Sequence, residues 1–96
     1  LSLDEIDGTF IGPYDLSGSM GKPGSFEDED VKKVLLDYER TAKRHSKLIG
    51  THVVSTDYQK VLEKIEANYN FIAFGFDALF LGTICRDQLK NLKENR

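Results

Sequence analysis

The stretch Gly12-Pro13-Tyr14-Asp15-Leu16-Ser17-Gly18-Ser19-Met20-Gly21 follows the short apolar run Thr9-Phe10-Ile11 and sets one carboxylate among glycines. A glycine-rich turn exposes backbone N–H groups that can hold an anion, and a carboxylate beside them can hold a cation that bridges to it. That combination suits a metal-bound carboxylate substrate. Read from the residues alone, Asp15 suits equally well a side chain that caps a turn. No G-x-x-x-x-G-K-[ST] pattern can be written through Gly21-Lys22-Pro23, so a nucleotide-binding P-loop is excluded. His52 is a proton-transfer group, a pocket wall or a structural histidine. His45, at the basic end of a helical segment, complements that helix's dipole. Cys85 and the phenylalanines Phe71, Phe74, Phe76 and Phe80 have the spacing of core residues.

The elements that must position these groups alternate. Residues 8–12 read as a strand leading into a long glycine-rich loop. Val31, Val34, Leu35, Tyr38 and Ala42 recur at helical spacing, and the acidic run Glu27 to Asp30 suits the helix's positive N-terminus. Leu48 to Val54 reads as a strand, and Thr56 with Gln59 fits a capping box before Tyr58, Val61, Leu62 and Ile65. Phe71 to Phe76 reads as a strand buried on both faces, and Asp77 as the cap of a last helix carrying Leu81, Ile84, Cys85, Leu89 and Leu92. Strands alternating with amphipathic helices predict a parallel α/β fold whose ligand groups gather at the strand C-termini, near Asp15, Ser55 and Asp77.

Bulk properties bound the function classes. Ninety-six residues with 40% hydrophobic and 30% charged content suit one small domain or part of a larger one. A formal charge of −3 gives no electrostatic footprint for nucleic acid. No apolar run approaches the roughly 20 residues of a membrane span, and a lone cysteine excludes an internal disulfide, which favours a cytoplasmic home. The first residue is Leu1, which fits a fragment or a processed product.

Phe10-Ile11-Gly12-Pro13-Tyr14-Asp15-Leu16-Ser17 with Met20-Gly21, and more weakly Phe74-Gly75-Phe76-Asp77, resemble the signature loop and last strand of the HpcH/HpaI aldolase family, related to the citrate lyase β-subunit. The resemblance covers nearly the whole chain. It implies that residues 1–96 form a partial TIM-barrel domain: the C-terminal part of a (β/α)8 barrel, about three βα units. It further implies a metal-dependent class II aldolase that makes or breaks a C–C bond beside pyruvate or a similar 2-oxo acid, with an aldehyde as the other partner. By the resemblance, Gly12, Pro13, Tyr14 and Asp15 line the substrate pocket and Asp15 is the candidate ligand of Mg2+ or Mn2+. The remaining metal ligands, and an arginine and a histidine that assist the chemistry, would come from earlier strands. A part citrate-lyase-like in its acyl-CoA chemistry, or a noncatalytic self-associating module, is the alternative. Two open strand edges lead to the expectation of a homo-oligomer, and the chain alone is expected to be inactive.

Overall fold

The computed structural model describes residues 1–96. In chain order the elements are β1 (Gly8–Ile11), α1 (Pro13–Ser19), α2 (Glu29–Arg44), β2 (Leu48–Val53), α3 (Tyr58–Glu66), β3 (Phe71–Phe74) and α4 (Asp77–Glu94). The three strands form one parallel sheet in the order β1-β2-β3. Because successive parallel strands are joined by crossovers of one hand, α2 and α3 fall on the same face of the sheet.

Local chemistry sets the helix limits. Asp28 caps α2 by accepting a hydrogen bond from the Asp30 N–H at 2.9 Å, Glu29 and Asp30 occupy its first turn, and Lys43 and Arg44 its last. His45 follows as the C-terminal cap, its N–H bonded back into the helix, and Ser46 turns out of the helix with φ 55°. The capping box expected from Thr56 is replaced by Asp57, whose carboxylate accepts from the Gln59 N–H at 2.9 Å while Ser55 Oγ accepts from the Asp57 N–H. An aspartate one residue nearer the helix outcompetes the threonine. Asp77 is likewise the first residue of α4 and not its cap, a place taken by the extended Phe76.

Side-chain alternation separates the two faces of the sheet. Thr9 Oγ1 and the Thr9 carbonyl both meet the Tyr38 hydroxyl of α2, at 2.7 and 3.2 Å. Ile49 packs with Ala42 and Tyr69, and this small cluster is the core on the helix side. The Tyr69 hydroxyl donates to Glu39 Oε1 at 2.9 Å; burial first, then that bond, pushes its pKa well above the ordinary value. On the opposite face Phe10, Gly50 and Phe71 stand in one row. The two rings meet edge to face across the glycine with centroids 5.6 Å apart.

That opposite face is uncovered. Phe71 is 68% exposed, and Phe10, Leu48 and Phe76 are also exposed. The expected core role of Phe71 and Phe76 is therefore corrected, as is that of Cys85, which is exposed on α4, whereas Phe74 and Phe80 pack edge to face on each other, centroids 5.3 Å apart, and stay about 40% exposed. Val34, Tyr58, Leu62 and Ile65 are exposed as well. These residues are apolar at the right spacing, but the layer that would bury them is missing or incomplete. Only nine of 96 residues are buried, and the radius of gyration is 16.7 Å. A compact chain of this length would have about 12.5 Å. The molecule extends 60 Å along its longest axis.

Gly50 marks a point of close packing within the sheet. A Cβ there would stand 2.7 Å from both a Phe10 ring carbon and the Phe71 carbonyl oxygen, whereas one on Gly18 of α1 would meet nothing within 4 Å. Gly50→Ala is expected to destabilise the chain by about 1–3 kcal/mol, and Gly18→Ala to stabilise it by up to about 1 kcal/mol. Urea unfolding of the two variants against the parent chain checks both signs.

Candidate functional site

The rim at the C-terminal ends of the strands carries the signature residues. Gly12 is extended (φ −97°, ψ 107°), as a residue before proline must be, and Pro13 opens α1 at its first position, where a missing N–H costs nothing. The stretch expected to be a glycine-rich turn is thus a seven-residue helix. Proline at the helix start was the signal that outweighed the glycines. Most N–H groups of that stretch are taken up within the helix and the turn that ends it. The N–H groups of Leu16, Met20, Gly21 and Lys22 bond to the carbonyls of Gly12, Leu16, Gly18 and Ser17.

Asp15 sits in the first turn of α1, exposed, with its carboxylate folded toward Gly12. A Cβ on Gly12 would stand 3.2 Å from Asp15 Oδ2, so glycine leaves that oxygen clear of a side chain. No group of three or more histidine, cysteine, aspartate or glutamate side chains is placed to hold a metal ion. Asp15 is a hard oxygen donor suited to Mg2+ or Mn2+, and it supplies one position of a shell that needs about six.

Ser17 is the motif residue with the clearest structural duty. It is fully buried, donates to the Tyr14 carbonyl at 3.1 Å and accepts from the Gly24 N–H at 3.0 Å. It thereby staples the segment after α1 back onto the helix, helped by left-handed backbone at Gly21 and Gly24 (φ 73° and 74°). The same segment brings Phe26 edge-on to Tyr14, centroids 4.9 Å apart. Lys22 then bonds both Asp28 (3.0 Å) and Asp30 (2.8 Å), fixing the loop to the start of α2.

Pro13, Tyr14 and Phe26 wall a cavity of about 440 Å3 together with His52 and Ser55. Gly12 and Asp15 stand beside it and are not among its lining residues. A second, larger cavity of about 630 Å3 lies among Arg40, Lys47 and Asn70. It opens at the N-terminal ends of the strands, away from every motif residue, where parallel α/β folds do not place their chemistry. His52, half-buried, has its Nε2 2.8 Å from the Gly75 carbonyl oxygen. Asp77 is exposed, its Oδ1 accepting from the Ala78 N–H at 2.7 Å. The rim thus gathers Pro13, Tyr14, His52 and Ser55 around one opening, with Gly12 and Asp15 next to it in the chain and Asp77 beyond Gly75. Sequence reasoning missed Ser17, Lys22 and Phe26, whose roles depend on how the loop returns over α1.

Three consecutive parallel βα units, with the Gly12–Asp15 stretch after the first strand, define a segment of a parallel α/β fold. The comparisons agree. Over 82 residues the chain is 37% identical to a hydroxypyruvate/pyruvate aldolase of Sagittula stellata, covering 85% of this chain and 32% of that protein. It is 28% identical over all 96 residues to a 2-keto-3-deoxy-L-rhamnonate aldolase of Escherichia coli, covering 35% of that protein. The crystal structure of an HpcH/HpaI aldolase from Desulfitobacterium hafniense superposes with a TM-score of 0.85 at 24% identity, over 99% of this chain and 36% of that one. No family model matches. The chain spans about a third of the length of the curated relatives it matches. The resemblance to the HpcH/HpaI aldolase family is borne out, and the fold is that of a fragment of its TIM barrel. No helix is long and apolar enough to cross a membrane.

Two outcomes follow for the loop. Ser17→Ala removes a buried hydroxyl and the hydrogen bond it accepts from the Gly24 N–H, and is expected to cost about 1 kcal/mol in urea unfolding. The Asp28 carboxyl is held below the ordinary aspartate value of 3.8, chiefly by its hydrogen bond from Lys22. Because the folded value is the lower one, that contribution is complete above pH 3.8 and fades as pH falls through the depressed value. Lys22→Met should therefore move the acid-induced loss of amide protection around Ser25 to higher pH, measured by hydrogen exchange.

Proposed function

We propose that residues 1–96 are part of a divalent-metal-dependent class II aldolase that cleaves or forms a C–C bond beside pyruvate or a similar 2-oxo acid. The observation that carries this reading is Asp15. It is an exposed carboxylate in the first turn of α1 at the C-terminal rim of a parallel sheet, in a segment matching proteins named as aldolases. Mg2+ or Mn2+, when bound, supplies the Lewis acidity that stabilises the charge developing on the 2-oxo oxygen as the bond breaks. Asp15 holds one coordination position, and Gly12, lacking a side chain, admits the 2-oxo acid close to the backbone. Pro13 and Tyr14 form the wall against which the acid or the aldehyde partner lies.

The rest of the coordination shell and the proton-transfer groups belong to further strands of a closed barrel. Those strands also cover the row Phe10, Gly50, Phe71. A homo-oligomer is the expected assembly of that barrel, and its partners are small molecules, not nucleic acid. An acyl-CoA lyase would use the same rim. The second reading is a noncatalytic module that pairs with itself through the uncovered sheet face, favoured by the exposure of Phe10, Leu48 and Phe71.

Asp15→Asn in the full-length polypeptide is expected to lower kcat/KM for pyruvate-forming cleavage by at least about 100-fold, since one of few charged metal ligands is lost. The 96-residue chain by itself should release no pyruvate above background. Unchanged kcat/KM in the variant contradicts the role of Asp15, and turnover by the isolated chain contradicts the need for further strands.

A further inference from the structure

The turn from β3 into α4 is clamped at one residue. Gly75 is buried with φ 59°, in the left-handed region that favours glycine, and a Cβ on it would collide with the Phe80 ring and stand 3.0 Å from the Ser55 carbonyl oxygen. Its N–H donates to the Val53 carbonyl at 2.8 Å, continuing the β2–β3 ladder by one step. Its carbonyl has a different fate. It cannot pair along the ladder once the chain turns, and His52 Nε2 stands 2.8 Å from it. A carbonyl only accepts, so Nε2 carries the proton, and a neutral His52 is fixed in the Nε2–H tautomer with Nδ1 as an acceptor. The ring also meets Phe76 edge-on, centroids 6.3 Å apart, so both residues after β3 are held from β2.

We propose that His52 is a positioning residue of the rim. By holding the Gly75 carbonyl it fixes the direction in which α4 leaves the sheet, and with it the places of Phe76 and Asp77 relative to the cavity that His52 shares with Pro13 and Tyr14. The significance of that placement rests on reading this rim as the substrate side. The latch itself does not depend on metal or substrate, so its test can fail or succeed separately from the aldolase assignment.

The test uses the full-length polypeptide. Long-range 1H–15N correlation spectra of the histidine rings at alkaline pH should show His52 in the Nε2–H form. The Gly75 amide should exchange about five- to tenfold faster in His52→Leu, the effect of one lost hydrogen bond on local opening. His52→Gln, whose amide can still donate, should stay within about twofold of the parent chain. A dominant Nδ1–H tautomer overturns the proposal without any variant. Equal Gly75 exchange in the leucine and glutamine variants also overturns it, because packing alone would then account for the turn.

Discussion

A parallel sheet is stable only when both of its faces are covered, and this chain covers one. On the helix side Tyr38 bonds Thr9, and Ile49 packs with Ala42 and Tyr69. On the other side Phe10, Leu48 and Phe71 face outward with no layer upon them. The close approach of Phe10 and Phe71 across Gly50 shows that the exposed row is shaped by packing within the sheet. In the proposed account, the same constraint links fold to function. The surface that needs covering is the inner wall of a barrel, and its C-terminal mouth is where Gly12–Asp15 lie.

The rim is held from several directions. Gly12 and Pro13 start α1 where β1 ends, which sets Asp15 in the first helical turn beside an unencumbered glycine. Ser17 holds the following loop against that helix, Lys22 holds it to α2, and the Tyr14–Phe26 pair lines the cavity. Ser17, Lys22 and Phe26 do no chemistry in the proposed mechanism. Their contribution is to keep one carboxylate and one glycine where a cation and a 2-oxo acid can meet, the positioning on which rates depend most steeply.

Much of this was legible in the residues. The 3.6-residue recurrence from Val31 to Ala42, with acid before it and base after it, predicts α2, and the β-branched run after Leu48 predicts β2. The parallel α/β order follows from alternation alone. Helix starts were less legible, because Thr56 and Asp57 are both good caps and only three-dimensional register decides between them. The residues 12–21 misled through their glycines, although Pro13 carried the helical signal. The phenylalanines misled for a different reason. Periodicity reports that a face is apolar, and it cannot report whether this chain or another covers it. Asp15 stood out as a lone carboxylate among glycines, whereas Ser17 and Lys22 act over six to eight residues of returning loop and have no local signature.

The most direct measurement of the central claim is the position of a bound cation. Crystals of the full-length polypeptide grown with Mn2+ and pyruvate, measured at the manganese absorption edge, give an anomalous peak that fixes the ion without reference to any assumed ligand. The account predicts that peak about 2.1 Å from a carboxylate oxygen of Asp15, at the mouth formed by the strand C-termini. A peak elsewhere on the molecule, with Asp15 bonded only to its own helix, would contradict it.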